Sequence, residues 1–138
     1  MADQDRRERD EQSLVVADSD VLVRHLIADY LRHCGYTVIE AASFEEAVTV
    51  VEAGSITPAV VLSDVELSGN GNGFALREQL TRTRPEVRVI LAGSITSATH
   101  AAADLCEEGP HLARPYDPQL VLERIRRHLA RRNSQVNQ

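Results

Sequence analysis

The chain contains no lysine and no tryptophan, and its fifteen basic residues are all arginine. Aromatic residues make up 4% of it, too few for a surface on which nucleic-acid bases stack. Its net charge of −6 makes it a poor non-specific binder of polyanions. No apolar run approaches the roughly 20 residues of a membrane-spanning helix. The N-terminus, Met-Ala-Asp-Gln-Asp-Arg-Arg-Glu-Arg-Asp, lacks the apolar core of a secretory signal. The expectation is therefore a cytoplasmic protein that engages neither nucleic acid nor membrane. Cys34 and Cys106 are far apart, with no CxxC pair and no His/Cys cluster nearby. That pattern indicates neither a zinc site nor a disulfide framework, and both read as thiols packed by helices.

What is present is an ordinary globular composition, 43% hydrophobic and 26% charged over 138 residues, enough for one domain and too little for two. Residues 1–12 are charged and nearly free of apolar groups, which reads as a disordered tail. The domain is placed at 13–130, with a flexible tail at 131–138.

Within it, short apolar runs alternate with helical periodicity. Leu14-Val15-Val16-Ala17 is a strand that ends in Asp18, Ser19 and Asp20. A helix from Val21 to Cys34 is stopped by Gly35. Tyr36 to Glu40 is a second strand, and Ser43-Phe44-Glu45-Glu46 carries the Ser-x-x-Glu pattern of a capping box, opening a helix through Ala53. The third strand, Ala59 to Asp64, again ends in acid, and Ser68 to Gly73 follows as a glycine- and asparagine-rich loop. Further strand-helix units follow: Val87 to Ala92 with Ser97 to Glu107, then, after Gly109, His111 to Ala113 and a helix opened by Asp117-Pro118.

Five strand-helix repeats with short connections imply a parallel sheet covered on both faces, and right-handed crossovers favour the flavodoxin-like (βα)5 sandwich with strand order 2-1-3-4-5. In that order the first and third strands are neighbours, and Asp18 meets Asp64 at the carboxyl edge where such sheets bind ligands. Acids beside a loop whose backbone can approach an anion or metal closely suit phosphoryl chemistry.

With these acids together, residues 14–130 resemble the receiver domain of two-component response regulators. The resemblance rests on Leu-Val-Val-Ala-Asp-Ser-Asp, the Asp64 segment, Gly109 and His-Leu-Ala-Arg-Pro-Tyr-Asp-Pro. It implies a signalling protein rather than an enzyme, a stand-alone receiver in a phosphorelay. Asp64 would accept a phosphoryl group from a histidine kinase or phosphotransfer protein, and a downstream protein partner would read the result. Mg²⁺ would assist, held by Asp18, Asp64 and the backbone carbonyl of Glu66. The family often pairs through its last helix and neighbouring elements, which admits a homodimer. It also implies a cis Arg114–Pro115 bond, which would aim the basic side chain into the acid pocket.

Several of the family's usual residues are replaced. Ser19 stands where the second first-strand acid ligates the metal, and a neutral hydroxyl is a weaker ligand for a hard cation, so Mg²⁺ should bind weakly or not at all. Ala92 stands where a Ser or Thr follows the phosphoryl group. Ser94, two residues on, could substitute only if the loop bends. His111 replaces the coupled aromatic, and Arg114 replaces the Lys with a larger, forked guanidinium. The Glu66 side chain is expected in solvent. Arginines 124, 126, 127, 131 and 132 sit where cations offset the dipole of the last helix.

Two other readings compete. One is a pseudo-receiver that docks a partner without using phosphate. The other is a haloacid-dehalogenase-like phosphatase, since Asp18-Ser19-Asp20 fits that family's Asp-x-Asp opening. The chain has no room for the cap of those hydrolases and lacks their later Lys and Gly-Asp-x-x-x-Asp motif.

Overall fold

The computed structural model describes residues 2–54, 56–109 and 117–136. In chain order these form α1 (Ala2–Glu11), β1 (Ser13–Ala17), α2 (Val21–His33), β2 (Thr37–Ala41), α3 (Phe44–Ala53), β3 (Val60–Asp64), α4 (Gly73–Thr83), β4 (Arg88–Ala92), α5 (Ile95–Glu108) and α6 (Pro118–Val136). The four strands are parallel in the order β2-β1-β3-β4, as expected of the flavodoxin-like sheet. The expected fifth strand, His111 to Ala113, lies outside the described residues.

Alternation along the strands divides the core. Leu14 and Val16 of β1, with Val60 and Leu62 of β3, face a layer built from α2, α5 and α6. Val15, Ala17 and Val61 face α3 and α4 through Ala47, Val51, Leu76 and Leu80. Because successive side chains point to opposite faces, a strand covered on both sides is apolar along its buried run, as β1 is from Leu14 to Ala17. The helix ends are set by local chemistry. Gly35 has φ of 100°, and Gly35 N and Tyr36 N donate to Arg32 O and Leu31 O, the Schellman closure of α2. Ser43 caps α3 by accepting from Glu46 N, while Glu46 accepts from Ala42 N.

Three expectations are corrected. The N-terminal stretch read as disordered is α1 over Ala2–Glu11. Ser13 Oγ donates to Arg9 O, and Thr57 N donates to Asp10 Oδ1. Lack of apolar groups argues for disorder, but Ala, Gln, Glu and Arg are good helix formers. The tail placed at 131–138 begins as helix, since α6 runs on to Val136. The cysteines are not separate thiols. Cys34, the C-cap of α2, and Cys106, on α5, form a disulfide with Cα atoms 5.5 Å apart. At a sequence separation of 72, the pairing depends on α5 packing against α2, which spacing alone does not encode.

Gly109, at the end of α5, has a packing role. The hydroxyl of Tyr36 donates to Leu105 O at 2.7 Å, and a Cβ on Gly109 would lie 1.8 Å from that phenol oxygen. Gly109→Ala is therefore expected to displace the Tyr36 ring and its hydrogen bond, lowering stability by about 1–3 kcal/mol. Urea unfolding measures this, and an unchanged midpoint would contradict it.

Candidate functional site

β1 and β3 are adjacent in register, with Ala17 opposite Ser63, so the residues that follow them, Asp18 and Asp64, emerge side by side at the carboxyl edge of the sheet. Both line a cavity of about 410 Å³, together with Asp20, Glu66, Ala92, Ser94 and, on its apolar wall, Ile27 and Leu129. Gly73 makes this layout possible. A Cβ there would sit 2.3 Å from Asp64 O, so only glycine lets α4 start against the acid's own backbone.

Burial dominates the titration of Asp18 and, with the nearby charges of Asp64 and Asp20, lifts its pKa from 3.8 to about 6. The hydrogen bond from Asp20 N to Asp18 Oδ1, 2.8 Å long, and the charge of Arg24 oppose the rise. Arg24 is fixed from both sides, its Nη1 donating to Asp18 O and its Nε to Glu40 Oε1. Asp64 Oδ1 accepts from Glu66 N at 3.1 Å, and the Glu66 side chain is exposed, as expected. Asp20 caps α2, with Oδ1 accepting from Leu22 N and Val23 N, while Oδ2 pairs with Arg132 Nη1.

The replaced positions show what they do instead. Ser19 Oγ donates to Ser68 Oγ at 2.8 Å and accepts from Ser68 N at 2.9 Å, so the hydroxyl expected near a metal ties the loop after β3 to the loop after β1. Ala92, opposite Asp64 in register, is buried and offers the site only its carbonyl, which accepts from Val65 N. Ser94 Oγ caps α5 by accepting from Ser97 N. His111, Arg114 and the Arg114–Pro115 bond lie outside the described residues.

Sequence reasoning missed three residues here. Glu45 holds the glycine-rich loop: its carboxylate accepts from Asn70 N, which with its own backbone bond keeps its pKa below the ordinary value, and Gly69 turns at φ 106° against it. The capping-box pattern had drawn attention to Glu46 alone. Ser68 and Arg132 carry no local signal, because each meets its partner across 49 and 112 residues.

As a ligand set, Asp18, Asp64 and the Glu66 carbonyl supply hard oxygens of the kind Mg²⁺ takes while retaining several waters. Ser19 and Asp20 are engaged elsewhere. Among the described residues no cluster of three His, Cys, Asp or Glu side chains is placed to hold a metal. The described part also has no helix long and apolar enough to cross a membrane.

The family model described as the response regulator receiver domain matches residues 14–126. The fold is similar to that of a CheY-like receiver domain protein from Methanospirillum hungatei JF-1, at 20% identity and TM-score 0.56, over 91% of this chain and 98% of that one. It is also similar to the receiver domain of NtrX from Brucella abortus, at 21% identity and TM-score 0.54, over 85% and 98% of the two chains. A protein of Chloroflexus aurantiacus J-10-fl, described as a response regulator, shares 28% identity over 87% of this chain and 98% of its own, with TM-score 0.55. No curated protein matches the sequence.

The raised pKa of Asp18 gives a pH-dependent stability. A carboxyl whose folded pKa lies above its unfolded one favours folding while protonated, so that contribution is present below about pH 4 and is lost as pH rises through about 6. Asp18→Asn keeps an acceptor for Asp20 N and removes the charge. It is expected to stabilise the protein at about pH 7.5 by roughly 1 kcal/mol, after discounting for the solvent screening of a partly exposed group, and to do little near pH 4. Urea titrations at the two pH values measure this, and a loss of stability at about pH 7.5 would contradict it.

Proposed function

Because the chain belongs to the response regulator receiver domain family, we propose that it accepts a phosphoryl group on Asp64 from a histidine kinase or phosphotransfer protein and signals through protein contacts. The observation that carries this reading is the placement of Asp64 at the tip of β3, beside Asp18 and lining the same cavity. One Asp64 carboxylate oxygen accepts from Glu66 N, and the other is the attacking atom of this reading. That oxygen forms a bond to phosphorus as the donor's bond breaks and the donor leaves with the electron pair. Little covalent chemistry is asked of the protein, whose task is alignment and neutralisation of charge. Mg²⁺, bound by Asp18, Asp64 and the Glu66 carbonyl, would supply part of that neutralisation.

A specific observation favours the second reading, a receiver fold that docks its partner without phosphate. The hydroxyl of Ser19 is bonded to Ser68, and Ala92 has no hydroxyl with which to follow a phosphoryl oxygen. Both changes weaken the switch, yet neither touches the attacking carboxylate, so the chemistry of Asp64 is retained and the phosphoacceptor reading stands first.

Incubation with acetyl phosphate and Mg²⁺ tests the reading. Asp64 displaces acetate, and the intact mass of the wild type is expected to rise by one phosphoryl group, with no adduct on Asp64→Asn. An unmodified wild type would favour the docking module.

A further inference from the structure

Four carboxylates, those of Asp18, Asp20, Asp64 and Glu66, line the cavity at the sheet edge. A phosphoryl group arriving at Asp64 adds negative charge to this acidic surround, and such a transfer needs cations placed beforehand where the charge develops. Among the described residues two arginines reach these acids. Arg24 is held on Asp18 O and Glu40 Oε1, with its side chain 14% exposed. Arg132 is held more loosely. Its Nη1 pairs with Asp20 Oδ2, and the side chain is 55% exposed.

The course of α6 aims Arg132 at this place. Ile125 is fully buried, Leu129 lines the cavity wall, and Arg132 follows three residues later, so the three share one helix face. Asp20 does not need the arginine to keep its own role. Its Oδ1 caps α2 through Leu22 N and Val23 N, while its Oδ2 alone meets the guanidinium. An exposed ion pair of this kind is weak, whereas a phosphoryl group offers more charge and several oxygens to a guanidinium fork.

We propose that Arg132 is a phosphoryl-facing cation of this site, parked on Asp20 in the resting protein and transferred to the phosphoryl oxygens on Asp64. This rests on the phosphoacceptor reading of Asp64. The last helix thereby supplies charge to a site in which Ser19 no longer offers the metal a carboxylate. Asp20 competes for the arginine, so removing its charge frees the cation instead of disabling the site.

Phosphoramidate provides a balanced test reaction. An Asp64 oxygen forms the bond to phosphorus while the phosphorus–nitrogen bond breaks, and the nitrogen, already protonated in the reagent, leaves as ammonia with the bonding pair. The rate of adduct formation is followed by intact mass, with EDTA and with Mg²⁺, for the wild type, Arg132→Gln, Arg132→Lys, Asp20→Asn and Asp64→Asn, each with its melting temperature. Arg132→Gln is expected to slow the reaction roughly five- to tenfold in EDTA, and less in Mg²⁺, with Arg132→Lys recovering most of the loss. Asp20→Asn, which retains a capping oxygen, is expected to speed it. A merely structural ion pair would instead make Arg132→Gln and Asp20→Asn change the rate in the same direction, or not at all, and that outcome overturns the assignment. Equal rates for wild type and Arg132→Gln overturn the role of Arg132 alone. Absence of adduct from the wild type and every variant overturns the phosphoacceptor reading and this assignment with it.

Discussion

The apposition of two carboxylates, Asp18 and Asp64, at neighbouring strand tips is the constraint on which the rest of the site depends. Parallel pairing of β1 with β3 forces them together, and burial with mutual repulsion lifts the pKa of Asp18 to about 6. Like charges held this way cost free energy unless something neutralises them, and a receiver uses that need to recruit a metal and then a phosphoryl group. In this chain, protein contacts hold the groups around the two acids. Ser19 is bonded to the loop after β3, Asp20 to Arg132, and Arg24 braces the backbone of Asp18. The acids are retained, and the coupling around them is changed.

That division separates chemistry from transmission. The attack on phosphorus proposed for Asp64 needs a positioned carboxylate and compensating charge, and the carboxylate stands at the tip of β3 beside that of Asp18. Transmission needs a contact that differs between the free and phosphorylated states, because a ligand without differential affinity shifts no equilibrium. Ala92 has no hydroxyl to make that contact, and Ser94 caps α5 with the oxygen that would have to stand in for it. An ion pair between Asp20 and Arg132 joins the site to the last turns of α6.

Most of the fold was legible because it rests on local periodicity. The apolar runs of β1 and β3, the Ser43 cap and the Gly35 stop each fix an element by residue type, and the four described strands take the order the alternation implied. Asp18 and Asp64 were legible for the same reason, as acids that end strands. The misses share a different cause. The Cys34–Cys106 bond and the Arg132–Asp20 pair join segments 72 and 112 residues apart, and both depend on how α5 and α6 lie against α2, which no spacing rule specifies. Helix α1 was missed because low hydrophobicity was given more weight than helix propensity.

The claim that this receiver keeps its phosphoacceptor but has lost the usual transmission is tested most directly by backbone amide NMR of the wild type with and without beryllofluoride, a phosphoryl mimic. The account expects shifts near Asp18 to Asp20, Asp64 to Gly69 and Arg132, with little change across residues 95–120. Large shifts throughout residues 95–120 would contradict it and return the protein to the ordinary phosphorylation-driven receivers.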